Sequence, residues 1–376
     1  MACYDADDFI CTYDSGGDGS LPGEGNPDYS SLATWEGESD NDLSGTGITI
    51  LDCYDSQNHN DGCVTYSGAS NTDSTHYRCV RSSPSCVTPF AGKVATGANF
   101  VRPDIDNGNH WAHLGENYFR LQDLYISSYG YQTFTLYAVY VYNVTDCKAI
   151  NVVATQKNTY GTVEGSGFQF KYVSGPCLFF NCIAFECEDD GFVYSPLGGS
   201  PSGYVICCTA IDNERYGFYA SGATGIGACF SCYGKNVSGE FIGAFSGYWD
   251  APSAWNAAND DSASCDGNAG DDYKNSIDLV GSGELDANYF PANGMVCFSG
   301  EAGDRAGRNP YDHISSGELF DNFFGPSGEA ISRKDIRGID RPSGEDAYWS
   351  VGAAEYAEEE EEEISGEVQP IVFVAS

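Results

Sequence analysis

Three stretches decide how this chain folds: FNCIAFECEDDGFVY (180–194), ICCTAIDNERYGFYA (206–220) and FSCYGKNVSGEFIGA (230–244). Each opens apolar-x-Cys, passes through a polar turn and closes on a short apolar-aromatic run. Cys182, Cys208 and Cys232 coincide, at steps of 26 and 24, and INVVATQ (150–156) puts Val152 in the same place, 30 residues before Cys182. The closing run repeats too: GFQF at Gly167, GFVY at Gly191 and GFYA at Gly217. A period in the mid-twenties, with short strands and glycine-containing turns, is the signature of β-coils stacked into a solenoid. A helical solenoid would show longer segments with a 3.6-residue apolar period, and none is visible.

One rung of about 25 residues supplies three short strands and three turns. Successive rungs pair in parallel about 4.8 Å apart, so equivalent side chains stack in columns. The sequence therefore predicts an inward column of Val152, Cys182, Cys208 and Cys232. A second, aromatic column is predicted at Phe168, Phe192, Phe218 and Phe241, with a one-residue slip in the last rung. Glu186, Glu188, Asp189 and Asp190 then fall at a turn, equivalent to Asp212–Arg215 and Lys235–Ser238. Asp, Asn and Gly belong at such corners because they tolerate left-handed backbone and bond locally. Three readings of the acids stand side by side. They form a polar corner, a calcium site of clustered carboxylates, or a catalytic pair.

The whole chain narrows the function classes. Its 376 residues carry 17 Lys+Arg against 55 Asp+Glu, a net charge of −38. Such a surface repels nucleic-acid phosphates and anionic membranes, so neither is an expected partner. No run approaches about 18 consecutive apolar residues, so no transmembrane helix is expected. MACYDADDFICTYD (1–14) lacks the basic start and apolar stretch of a signal peptide, which points to a mature form or to release by lysis.

Of the 16 cysteines, those in mid-chain read as buried thiols, since free Cys packs as a small hydrophobe. Cys229 and Cys232 make a C-x-x-C that stands alone, without the second pair a zinc site needs. Cys3, Cys11, Cys53, Cys63, Cys79 and Cys86 are the disulfide candidates if the compartment is oxidising. His110-Trp111-Ala112-His113 is an H-x-x-H with no further ligand beside it. YISSYGYQTFTLYAVYVYNV (125–144) reads as one long alternation that turns one set of side chains inward and another outward. An outward tyrosine row could stack on sugars or form a subunit interface.

With the rungs in place, the chain resembles the right-handed parallel β-helix proteins of the pectate-lyase-like superfamily, of the type found in phage and environmental genomes. DYSSLATWEGESDNDL (28–43) resembles their N-terminal capping helix, with Leu32 and Trp35 closing the open end. GITILDCYDS (47–56) and CVTYSG (63–68) resemble a first rung, and NYFRLQDLYI (117–126) a later rung start. SAWNAANDDSAS (253–264) and IRGIDRPSGEDAYWSVGAAEY (336–356) resemble the closing segment. The resemblance implies an all-β, right-handed parallel β-helix solenoid with a short N-terminal capping helix and an irregular C-terminal closing segment. The expected division is an arm and cap over 1–46, the β-helix over 47–250, C-terminal rungs and closing segment over 251–356, and a tail over 357–376.

Enzymes of this superfamily act on polysaccharides. Its lyases hold calcium on acidic side chains and use an Arg or Lys as base; its hydrolases use Asp residues on neighbouring rungs. Asp189-Asp190 resembles the Asp pair of the polygalacturonase-like hydrolases, but no His-Gly and no Arg-x-Lys follow on the next rungs. Arg215, one rung on in the same turn, is the candidate base, and reads equally as an ion-pair partner of the acids. The metal candidates are Glu186, Glu188, Asp189 and Asp190, for calcium; the preferred reading requires no cofactor.

After Tyr356 the composition changes. Glu358–Glu363 is a run of six Glu that self-repels and stays extended. ISGEVQPIVFVAS (364–376) ends in an apolar, β-prone segment. Val368, Ile371, Val372, Phe373 and Val374 are therefore expected to join a sheet edge of another subunit or of another virion protein. The sequence thus favours a non-catalytic structural or surface protein, a phage decoration, fibre or spike that contacts glycans and works outside the cell in a virion. The runner-up is a polysaccharide lyase or glycoside hydrolase.

Overall fold

The computed structural model describes residues 9–13, 29–44, 47–54, 58–59, 64–83, 98–102, 110–130, 136–158, 165–195, 203–221, 227–230, 232–236, 243–247, 256–258 and 273–274. From Thr49–Cys53 to Gly243–Gly247 the described strands visit three sheets in fixed rotation. A strand of the first sheet is followed by one of the second and one of the third, before the chain returns one rung further along. The first sheet carries eight described strands, the second nine and the third seven. The pairing is parallel throughout the three sheets, as in Phe168 beside Phe192 and Ile183 beside Thr209. The protein is a parallel β-helix.

One rung shows how the sequence builds it. Cys177–Phe180 lies in the first sheet, Ile183–Phe185 in the second and Phe192–Ser195 in the third. Between the first two, Asn181 turns the corner at φ 51°. Asp123, Asn151 and Cys207 take the same left-handed conformation on neighbouring rungs. Asn151 Nδ2 donates to Asp123 Oδ1 at 2.8 Å, and Asn181 Nδ2 donates to Asn151 Oδ1 at 3.2 Å. Asn and Asp tolerate this backbone and their side chains bond up and down the stack, which fixes the corner.

Both columns exist. Val152, Cys182, Cys208 and Cys232 are fully buried. The Cys182 backbone N–H points at Cys208 Sγ, 3.4 Å away, and that of Cys208 at Cys232 Sγ, 3.5 Å away. Leu124 holds the equivalent place on an earlier rung, because Tyr125 pairs with Val153. The rings of Phe168, Phe192 and Phe218 stack at 4.8 and 5.0 Å with interplanar angles of 5 and 6°. The next member is a correction. Phe218 pairs with Phe245, not with Phe241, which lies outside the described residues. The last turn is longer than its predecessors, so counting from the cysteine misplaces the strand.

Gly167, Gly191 and Gly217 stack because the rungs touch there. A Cβ on Gly191 would lie 2.6 Å from the Gly217 carbonyl oxygen, and one on Gly167 would lie 2.8 Å from that of Gly191. In this rung the strands of the first two sheets read as continuous apolar runs, CLFF and IAF, because both of their faces are buried. Phe179 and Ala184 face the core, while Leu178, Phe180, Ile183 and Phe185 are buried on the opposite face.

The N-terminal end matches its expectation and adds to it. The helix Leu32–Ser39 is capped by Ser31, whose Oγ accepts from the Thr34 N–H at 3.4 Å. Leu32 and Trp35 are fully buried in the core cluster. Phe9–Tyr13 pairs with Thr49–Cys53, so the first sheet begins inside the segment expected to be only an arm and a cap. At the other end Asn256–Ala258 and Tyr273–Lys274 continue the second sheet. Cys53 and Cys79, two of the disulfide candidates, are both buried.

Candidate functional site

The turn that carries Glu186–Asp190 is held rung upon rung by the backbone. Glu186 takes φ 50° and its equivalent Asp212 φ 54°. The Asp189 N–H donates to the Gly165 carbonyl at 3.0 Å, and the Arg215 N–H donates to the Asp189 carbonyl at 2.9 Å. Stacking places Asp189 and Asp190 directly beside Arg215.

Those three side chains form one closed network. Asp189 is 4% exposed, Asp190 0%, and the Arg215 side chain 32%. Arg215 Nε lies 2.9 Å from Asp190 Oδ1 and 2.7 Å from Asp189 Oδ1. Arg215 Nη2 donates to Asp189 Oδ2 at 3.0 Å and also bonds Asp190 Oδ2. Other donors reach both acids as well. Asp190 Oδ1 accepts from the Tyr216 N–H at 3.1 Å, and Asp189 Oδ2 accepts from Ser166 Oγ at 3.3 Å. The guanidinium itself sits over the rings of Tyr216 and Tyr219, 5.4 and 5.0 Å from their centroids.

A carboxylate chelated by a guanidinium and bonded to backbone is poorly placed to deliver a proton to a substrate oxygen or to activate water. Arg215 likewise directs its Nε and Nη2 donors at the two acids. The sequence brings the three weak catalytic candidates together, and the geometry joins them as a clamp between two rungs. The calcium set does not assemble: Glu186 and Glu188 are half-buried, and among the described residues no group of three or more His, Cys, Asp or Glu side chains is arranged to hold a metal. The two buried Asp face Arg215, and an acid already paired to a cation offers little to a second one.

Two other charged clusters were not anticipated. Lys148 is buried beside Asp146, with Nζ 3.3 Å from Asp146 Oδ1. Burial and the neighbouring Arg120 push its ammonium well below the usual lysine range. The side chain is a lowered lysine of the sort a lyase would use, but it is enclosed rather than presented. At the capped end Arg78 is fully buried. Its Nε donates to Glu116 Oε1 at 2.8 Å and its Nη2 bonds Glu116 Oε2. It also donates to Ser39 Oγ and the Glu36 carbonyl, each at 3.0 Å. Nothing in the repeat marks these residues, because each partner sits on a different element.

The tyrosine-rich stretch is also corrected. It is two strands in two sheets, Leu124–Gly130 in the second and Leu136–Tyr142 in the third. In the latter, Ala138 and Val139 are both fully buried, so the alternation breaks and Tyr137, Tyr140 and Tyr142 share the outer face. Their rings run near-parallel, Tyr137 to Tyr140 at 5.4 Å and 12°, Tyr140 to Tyr142 at 5.6 Å and 22°. His110 and His113 join this row as ring neighbours of Tyr140, at 4.1 and 5.1 Å. The H-x-x-H thus contributes to an aromatic face. Val368, Ile371, Val372, Phe373 and Val374 lie outside the described residues, as does the expected closing segment 336–356.

No protein-family model and no curated protein matches this sequence. Among solved structures the chain is similar to the crystal structure of pectate lyase Pel9A, at 13% identity and a TM-score of 0.34, over 68% of this chain and 84% of that one. The three parallel sheets and the capping helix are this chain's own evidence for the fold. It is a parallel β-helix.

Proposed function

We propose that this β-helix is a non-catalytic structural or surface protein, a virion component of the decoration, fibre or spike kind, working outside the cell. The observation that carries the non-catalytic part is the closed network of Asp189, Asp190 and Arg215. An enzyme of this architecture needs acids open to a groove, and here both are buried and bonded to Arg215. The acidic surface of the chain supports a dispersed, self-repelling particle surface. The segment 357–376 supports assembly, since a charged spacer followed by a sticky strand suits addition to the edge of a neighbouring sheet.

The second reading, a polysaccharide lyase or hydrolase at the same turn, draws on the convergence of two Asp and one Arg there. Incubation with polygalacturonate and calcium separates the two. Release of unsaturated or reducing ends that disappears in Asp190→Asn would overturn the non-catalytic reading; none is expected. For assembly, light scattering after size exclusion compares the full chain with one lacking 357–376. Loss of assembly in a still-folded β-helix is expected, and unchanged assembly removes the tail from the proposal.

A further inference from the structure

The third sheet presents an outer face unlike the rest of this acidic chain. Register places Thr65, His113, Tyr140, Gln169, Val193 and Tyr219 in one column. Tyr142 heads the adjacent column and pairs with Lys171, which pairs with Ser195. Neither column contains a carboxylate, in a chain with 55 of them. The face is built of phenol, imidazole, amide and hydroxyl groups, with Val193 and one cation, Lys171, whose Nζ lies 5.4 Å from the Tyr172 ring centroid.

Two of its polar atoms are buried without a hydrogen-bond partner among the described residues, Gln169 Oε1 and His113 Nε2. Gln169 is itself only 4% exposed, and its Nε2 donates to Ser195 Oγ at 3.3 Å. Such atoms cost free energy unless something bonds them. Tyr142, 36% exposed, is the one exposed large hydrophobic side chain among the described residues. The half-buried Tyr172 ring lies 5.8 Å from it at an interplanar angle of 51°.

We propose that this face, centred on Tyr142 and Tyr172, binds a neutral polysaccharide. The C–H-rich face of a pyranose carries slight positive charge and packs on the negative face of an aromatic ring. Its hydroxyls donate and accept, which suits the unpaired amide oxygen and imidazole nitrogen. A protein partner fits less well, because a single exposed large ring falls far short of the contiguous apolar area a stable interface buries. A net charge of −38 disfavours uronates, sulfated glycans and nucleic acids. The inference rests on the non-catalytic reading only in that the glycan is held and not cleaved.

Affinity electrophoresis of the full chain through gels containing β-glucan, mannan or dextran tests it, with polygalacturonate as the anionic arm. Retardation by at least one neutral polymer is expected, weakened about ten-fold or more in Tyr142→Ala and in Tyr172→Ala. Tyr125→Ala, on the second sheet, is expected to bind as the parent does. Circular dichroism confirms that each variant is folded. No retardation by any of the neutral polymers overturns the proposal, as does retardation that survives both folded variants. Retardation by polygalacturonate alone overturns the neutral assignment. Cleavage of a bound polymer would instead overturn the non-catalytic reading and leave the binding face standing.

Discussion

Arg78 and Arg215 make the same chemical arrangement at two places with different consequences. Each is one guanidinium set against two carboxyl-bearing residues, Glu116 and Glu36 in one case, Asp190 and Asp189 in the other. Arg78 is fully enclosed and ties the capping helix to two later segments of the coil, through Glu36, Ser39, Ser67 and Glu116. Arg215 joins two successive rungs at a repeated turn and leaves a third of its side chain to solvent. The first arrangement is a knot between elements unrelated by the repeat. The second is a rung-to-rung clamp that the repeat itself positions. Burial and connectivity, more than residue type, set what each is worth.

Breaking the knot should have the largest effect. Arg78→Ala leaves Glu116 buried without its partner and unties the cap, and is expected to cost about 3–5 kcal/mol in urea unfolding. If the loss is no larger than for the clamp, enclosure is not what distinguishes the two sites. Arg215→Ala comes next. It strands two buried carboxylates, but at a site water reaches, so about 1–3 kcal/mol is expected, with the helical signal of the cap unchanged in circular dichroism.

Ser31→Ala sharpens the comparison at the cap. Its hydrogen bond to Thr34 is long, 3.4 Å, so a loss of about 0.5 kcal/mol is expected, at the low end for such caps. A loss near that of Arg78→Ala would mean that the helix, and not the knot, holds the end.

The smallest effect concerns pH and a third region, the aromatic face. Burial holds His113 below the ordinary imidazole value. Above about 6.5 it is neutral in both folded and unfolded chains and contributes nothing to the slope. As pH falls through that value the unfolded chain takes up the proton first, so stability declines with acidification until the folded group also titrates. His113→Gln should flatten that portion of the stability–pH curve, and a curve of unchanged shape would show that His113 carries none of it. In the same face burial, with Tyr142 and Tyr172 adding to it, pushes the Tyr140 phenol up to about 12, so that ring stays uncharged at neutral pH.

Much of the fold is written plainly in the sequence. The steps between Cys182, Cys208 and Cys232 place the inner column, and Phe168, Phe192 and Phe218 the aromatic one, because identical positions on successive rungs must stack. The cap is legible too, since Leu32 and Trp35 are apolar residues in a polar segment with a serine before them. The candidate site was half legible. The repeat puts Arg215 beside Asp189 and Asp190, so their meeting follows from the period, but whether they form a groove or a clamp does not.

What the sequence determined by itself is everything that repeats: the sheet class, the register from Cys182 to Cys232, and the corner that holds Glu186 and Asp212. A side chain in a solenoid finds its like one period away, so a one-dimensional pattern suffices. The tertiary structure alone decided what breaks the period. It chose Phe245 over Phe241, split the tyrosine stretch between two sheets, and brought Arg78 to Glu116 and Glu36. Those outcomes depend on turn length, on where alternation slips and on the cross-section of the coil, and none of these is a local property of the residues involved.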